Sequence, residues 1–311
     1  MLVVMAVVAA ALVASATRAD AQAGAGAAGE MGAARLYRAN LFAEDGVDPR
    51  RIVDRGLAPE LGPVGMIETA QPITFNRRTG VVRGTAFLIS PCYAISNRHL
   101  VFGDETDNLV AAENSMKIWL GFSPGGGFDA FTLATPVAWG RRTLAGTNDW
   151  AISRLKTCVG RRVGWMDIQP EAPLRLAGAW VATAGYPGDK PRGELWSHAR
   201  CRIRFPDRRV GLLTHDCATV AGMSGSPIYK RLPDGSLKAV AMTVGNKNDS
   251  RRVMTIYGRN FANTAMDLAG VFADPQLKQM ILDDIAAFGR ENPSSSPEPQ
   301  AAGGSATDAR R

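Results

Sequence analysis

Histidine is scarce in this 311-residue sequence, which holds only His99, His198 and His215. Cysteine is nearly as rare, and Cys92, Cys158, Cys201 and Cys217 are widely spaced with no C-x-x-C pair. So few imidazoles and such separated thiols argue against a structural zinc site, and no metal or other cofactor is expected. Beyond the first residues no run is apolar enough to span a bilayer, so no stable membrane association is expected once a leader is removed. Charge is never gathered in a block: the net +7 is spread over pairs such as Arg50-Arg51, Arg141-Arg142, Arg161-Arg162 and Arg251-Arg252. No aromatic-basic motif accompanies these pairs, which argues against a nucleic-acid partner and for a solvated basic surface.

What the sequence does contain begins with a leader. Met1 to Ala16 is almost wholly apolar and runs into Thr17-Arg18-Ala19-Asp20-Ala21, whose Ala19-x-Ala21 is a small-residue cleavage site. Residues 1–21 are therefore expected to be a signal peptide, although no Lys or Arg precedes the apolar run, and the mature chain is expected to be secreted or periplasmic. An even number of cysteines in an exported chain points to two disulfides. Residues 22–60 start Ala/Gly-rich and continue charged, the pattern of a partly disordered N-terminal lead or propeptide. The ordered body is expected from near Leu61, and residues 290–311, rich in Pro, Ser, Gly and Ala, are expected to be a disordered tail.

Between those ends the text is one of short β-branched or aromatic runs separated by turns. Thr85 to Ser90, Tyr93 to Ser96, Met116 to Phe122, Trp150 to Leu155, Trp180 to Ala184, Cys201 to Phe205 and Lys238 to Val244 read as strands, which favours an all-β sandwich or barrel over βαβ units. Leu232-Pro233-Asp234-Gly235 supplies a turn between Ile228-Tyr229-Lys230 and the Lys238 strand. Helical spacing is convincing only in a short C-terminal helix from Pro275 to Phe288, where Leu277, Met280, Ile281, Ile285 and Phe288 recur.

The chemistry-bearing residues fall in one order. A serine nucleophile needs a base, and the base needs an acid to orient it. All three histidines precede Ser224, which excludes the nucleophile-acid-histidine order of α/β-hydrolases, and Gly222-Met223-Ser224-Gly225-Ser226 is not a G-x-S-x-G elbow. The remaining order is His99, Asp149, Ser224. Tyr93 to His99 reads as a strand ending in the histidine, and Asp149 stands just before an alternating strand. The glycine turn at Ser224 lets the N–H groups of Gly222 and Ser224 converge on an oxyanion. Asp104, Asp107 and Asp129 are the reserve acids. His198 and His215 are expected at the surface or near the cleft without a chemical role, although a subtilisin-like order, with Asp149 before either of them, would use one as the base. That fold needs alternating helices that this text lacks.

Four stretches, G-T-A-F-L-I with N-R-H, D-W-A-I-S-R-L, G-Y-P-G-D-K and D-C-A-T-V-A-G-M-S-G-S-P-I, resemble in order the bacterial trypsin-like serine peptidases of the glutamyl-endopeptidase-like branch. The resemblance runs from about Leu61 to Leu268. It implies two antiparallel six-stranded β-barrels, chymotrypsin-like, with residues 61–165 forming the first and carrying His99 and Asp149. Residues 166–289 would form the second, carrying Ser224 and the C-terminal helix. It further implies a serine endopeptidase that acts as a monomer on a protein or peptide substrate, with Gly222 and Ser224 as oxyanion donors. Thr219, Thr243 and Gly245 would line the substrate pocket, and Thr243 stands where glutamyl-specific relatives place a histidine, so strict Glu preference is not expected. On the same layout Cys201 would pair with Cys217 and Cys92 with Cys158, one of three connectivities four cysteines permit. Arg51-Ile52-Val53 looks like a zymogen cleavage site, but Met223 replaces the aspartate a freed ammonium would need. The competing reading is a catalytically silent binding protein on the same barrels.

Overall fold

The computed structural model describes residues 40–42, 47–54, 56–73, 78–102, 116–123, 127–141, 148–207, 211–246, 257–258 and 261–288, all within the compact unit Tyr37–Arg311. The expected signal peptide, the Ala/Gly-rich start of the lead and the C-terminal tail lie outside the described residues, as do Asp104 and Asp107.

Two closed barrels make up the fold. The first is formed by β2 (Val64–Ile73), β3 (Arg78–Ser90), β4 (Tyr93–Ser96), β5 (Met116–Ser123), β6 (Gly127–Trp139) and β7 (Ala151–Leu155), in the ring order β2-β3-β4-β7-β6-β5. The second comprises β9 (Trp180–Gly185), β10 (Trp196–Asp207), β11 (Leu212–His215), β12 (Pro227–Arg231), β13 (Leu237–Asn246) and β14 (Asn263–Asp267). Its ring runs β10-β11-β14-β13-β12-β9 and is closed by antiparallel pairing of β9 with β10. Every pairing within the two rings is antiparallel. Closure leaves each barrel without a bare edge. Two short strands add to the second barrel, β1 (Arg51–Ile52) beside β10 and β8 (Asp167–Ile168) parallel to β13.

The burial pattern explains why the strands read as nearly continuous apolar runs. Successive side chains of a strand face opposite ways. Along β3, Ala86 and Leu88 fill the first barrel, while Phe87 and Ile89 join a cluster that also contains Ala182, Ala184, Tyr186, Tyr229 and Met242 of the second. Ala94 and Ile95 of β4 divide in the same way. A third cluster, with Val181, Ile203, Leu213, Ile228 and Val240, fills the second barrel. Both faces of the strands between the barrels are thus buried, and no polar alternation survives to mark them.

Helices are short apart from the last. They are α1 (Arg98–Phe102), α2 (Gly160–Val163), α3 (Pro173–Leu176), α4 (Leu268–Val271) and α5 (Pro275–Phe288). No helix among the described residues is long and apolar enough to cross a membrane. Helix α5 follows the second barrel in sequence yet docks on the first: Asp284 Oδ2 accepts from Ser90 Oγ at 2.6 Å and from Cys92 N at 2.9 Å. Both expected disulfides are present, Cys92–Cys158 and Cys201–Cys217.

The described structure begins ahead of Leu61. Asn40, Leu41, Arg50 and Val53 are buried, and Arg51 and Ile52 pair with Ser197 and Trp196. Polar side chains anchor this stretch to the second barrel, for Asn263 Nδ2 donates to Asn40 O at 2.9 Å and Thr219 N to the same oxygen at 3.3 Å. Charge and weak alternation hid a segment whose order comes from tertiary contacts.

Candidate active site

One end of the first barrel carries His99. Strand β4 stops at Ser96, and the histidine lies in the first turn of α1 and not at a strand end. The chain turns because β4 leaves its ladder there: Asn97 instead donates from Nδ2 to Asp149 O at 2.8 Å, and Leu100 N donates to Asn97 O at 3.2 Å. This turn aims His99 at the loop before β7. Its backbone N–H donates to Asp149 Oδ1 at 2.9 Å, and its Nδ1 lies 2.6 Å from Asp149 Oδ2. The carboxylate therefore holds the imidazole at two points, with the two side chains only 8% and 13% exposed. Asp129 is exposed on β6, where its carbonyl accepts from Arg162.

Ser224 reaches the same end from the second barrel. Thr85 N on β3 donates to Ser224 O at 2.8 Å, and Thr85 Oγ1 donates to Gly222 O at 2.9 Å while accepting from Tyr186 N at 3.0 Å. Thr85 O in turn accepts from Ser96 Oγ at 2.7 Å, three residues before His99. One threonine thus ties the serine turn to the hairpin that leads to the histidine. The G-T-A-F-L-I stretch is visible in the sequence, but the task of its threonine depends on partners far along the chain.

The turn itself is fixed by glycine. Gly222 has φ +91°, and a Cβ there would lie 2.5 Å from Tyr186 O and 2.9 Å from Gly188 N. Met223 N donates to Val220 O at 3.0 Å and Gly225 N to Thr243 O at 2.9 Å. The N–H groups of Gly222 and Ser224 have no acceptor among the described residues. Ser224, 6% exposed, donates from Oγ to Val244 O at 3.2 Å. Thr219 and Thr243 are buried nearby in sequence and on β13, and neither Oγ1 meets a partner among the described residues. Gly245 is half-buried at a β-bulge where β13 meets β14.

The other histidines do different work. His198 accepts at Nδ1 from Ala218 N at 3.0 Å, and burial lowers its pKa against the pull of Asp216. His215, expected at the surface or near the cleft, is wholly buried on β11, between β10 and β14. Burial lowers its pKa to about 4, opposed by the charge of Asp216. In the unfolded chain the ring protonates near its ordinary 6.5, so stability from this residue is complete above that pH and is lost as pH falls toward 4. The difference amounts to on the order of 3 kcal/mol. Urea unfolding of His215→Gln is expected to show a shallower loss of stability between pH 7 and pH 4 than the parent; identical slopes would contradict this. With Asp149 engaged by His99, the subtilisin-like order has no geometric support.

The fold and the polar constellation at the barrel junction define a chymotrypsin-like protease architecture. The trypsin-like peptidase domain profile matches residues 84–240, half of the chain, and the chain belongs to that family. None of the curated protein sequences matches it. Among solved structures, a Glu endopeptidase in complex with MPD is similar with a TM-score of 0.56 at 18% identity, over 77% of this chain and 98% of that one. An active-form protease from M. tuberculosis aligns at 21% identity and a TM-score of 0.46, over 70% of this chain and 82% of that one. At 18% identity the likeness to the Glu endopeptidase speaks for the fold and leaves specificity open.

Proposed function

We propose that this peptidase is a secreted serine endopeptidase in which His99 is the general base, Asp149 orients it and Ser224 is the nucleophile. The observation that carries the reading is the two-point grip of Asp149 on His99. By accepting a hydrogen bond from Nδ1–H, the carboxylate fixes the tautomer in which Nε2 carries the lone pair and can act as a base, and it supports the imidazolium that follows. Rotation about χ1 takes the Ser224 hydroxyl from Val244 O toward that nitrogen. Oγ then bonds to the scissile carbonyl carbon while its proton passes to Nε2. The carbonyl electron pair moves onto oxygen, where the N–H groups of Gly222 and Ser224 receive it. Collapse breaks the C–N bond, the imidazolium proton goes to the departing amine, and an acyl-enzyme remains. Water, deprotonated by the same imidazole, attacks the ester carbonyl; the acyl C–Oγ bond then breaks, the imidazolium gives its proton to Ser224 Oγ, and the acid product leaves.

Secretion is supported by the apolar leader and by two formed disulfides, which persist in oxidising compartments. The protein is read as a monomer acting on protein or peptide chains. Fluorophosphonate labelling tests the reading: the parent should be labelled and Ser224→Ala should not. A folded parent that resists the label and leaves a peptide library intact would instead favour the silent binding protein.

Thr219, Thr243 and Gly245 are the pocket residues of this reading. Hydroxyls neutralise no charge, and a substrate carboxylate buried against them would lose its hydration without an ion partner. Peptide profiling should therefore show no dominant preference for Glu at the residue before the cut. A profile ruled by Glu would overturn the pocket assignment while leaving the triad standing.

A further inference from the structure

The segment ahead of β1 delivers a guanidinium beneath the nucleophile turn. Arg50 is fully buried, and all five of its N–H groups are directed. Nε and one Nη2 hydrogen go to the two oxygens of Asp48 at 3.0 and 2.7 Å. Nη1 and Nη2 go to the two oxygens of Asp189 at 3.1 and 2.6 Å. The last Nη1 hydrogen meets the sulfur of Met223 at 3.9 Å. Asp189 belongs to the turn that follows β9, and that turn touches the nucleophile turn again where Gly188 N donates to Ala221 O at 2.7 Å. Lys190 Nζ closes the cluster on Asp48 at 3.1 Å. Two carboxylates hold the cation's charge, and the planar fork reaches both while its outer edge presses on the residue between the two oxyanion donors.

We infer that Arg50 is a positioning residue for catalysis: clamped by Asp48 and Asp189, it supports Met223 and so keeps Gly222 and Ser224 N–H turned toward the oxyanion. The inference rests on the proposed triad and adds to it the device that organises the turn. It assigns to an internal arginine a role that a chain terminus freed by cleavage would otherwise play. Cleavage between Arg51 and Ile52 would cut Arg50 away from β1, so the active form retains residues 48–50. Met223 fits this arrangement because its thioether accepts a weak hydrogen bond without placing a third carboxylate beside the clamp.

Arg50→Lys keeps the charge and loses the fork, and Asp189→Asn loosens the clamp at a side chain that is 40% exposed. Steady-state hydrolysis of a peptide substrate by full-length parent, Arg50→Lys, Asp189→Asn and Ser224→Ala tests the inference, with thermal melting to confirm folding. The expected result is a kcat lowered by about 100-fold in Arg50→Lys and by roughly tenfold in Asp189→Asn, with KM changed by less than about threefold, as for removal of an oxyanion donor. Intact mass of fluorophosphonate-labelled parent should include Asp48 to Arg50. Folded Arg50→Lys with the parent's kcat overturns the inference, as does a labelled species beginning at Ile52. If Arg50→Lys does not fold, unchanged kcat in Asp189→Asn overturns it equally. A parent with no Ser224-dependent turnover defeats the proposed function itself, and this inference with it.

Discussion

Replacing Ser224 by alanine is expected to lower kcat by about 10⁶-fold, His99→Ala by a similar factor and Asp149→Ala by roughly 10⁴-fold. The ordering follows from the task of each group. In the proposed mechanism Ser224 supplies the bond-forming oxygen and His99 the nitrogen that takes its proton, so either loss removes the covalent route altogether. Asp149 takes no proton, but it holds Nδ1 at 2.6 Å and the His99 backbone N–H at 2.9 Å. Without it the imidazole can flip or change tautomer, and only a fraction of molecules present Nε2 correctly. Because the three act as one device, the Ser224→Ala, His99→Ala double variant should be no slower than either single variant. KM should stay near the parent value, since none of the three residues is assigned to the pocket. Burst kinetics with an activated ester reads all of this directly, and additive losses in the double variant would show that the residues do not act together.

The second large effect concerns stability. Gly225 has φ +85°, and a Cβ there would overlap the Thr85 carbonyl oxygen and approach Ser96 Oγ to 2.7 Å. Gly225→Ala must therefore adopt an unfavourable left-handed conformation and also push the serine turn off β3. The turn is held there by Thr85 N to Ser224 O, and Thr85 O is itself engaged by Ser96. Strain and broken hydrogen bonds together should cost about 4 kcal/mol or more. That corresponds to a Tm lower by about 8–16 °C in a chain of this size. Gly178 provides the comparison, with φ +80° and nothing within 4 Å of an added Cβ. Gly178→Ala pays the conformational term alone, about 1–2 kcal/mol. Equal melting temperatures for the two variants would refute the role given to the Thr85 contact.

These two positions also mark what a linear reading can and cannot see. Ser224 and Asp149 stand in short motifs whose local context survives in the sequence, and α5 begins and ends where its 3.6-residue period does. The β12–β13 hairpin was equally open to view, since Pro233 and Gly235 punctuate it and its strands pair as the turn requires. Strand β6 escaped because its inward positions, including Ala130, Thr132 and Ala134, are small or polar and give little apolar alternation. Apolar residues run on past His99 and so suggest that the strand reaches it; the ladder's end at Ser96 depends on the partner strand. Thr85 and Arg50 escaped for a stronger reason. The contacts that join them to the nucleophile side, Thr85 to Gly222 and Arg50 to Asp189, span 137 and 139 residues, so the linear text shows an ordinary strand threonine and an ordinary basic pair.

Each disulfide stays within its own half of the molecule, Cys92–Cys158 in the first barrel and Cys201–Cys217 in the second. The seam between the halves is sewn instead with reversible stitches: Thr85 to the serine turn, Tyr186 Oη to Val64 O at 3.1 Å, Arg192 to Glu68 at 2.8 Å, and α5 laid across the outside. Reducing agents consequently slacken each jaw separately, so oxidation state governs how stiff the jaws are while the fit of one against the other is set by these hydrogen bonds, the ion pair and apolar packing.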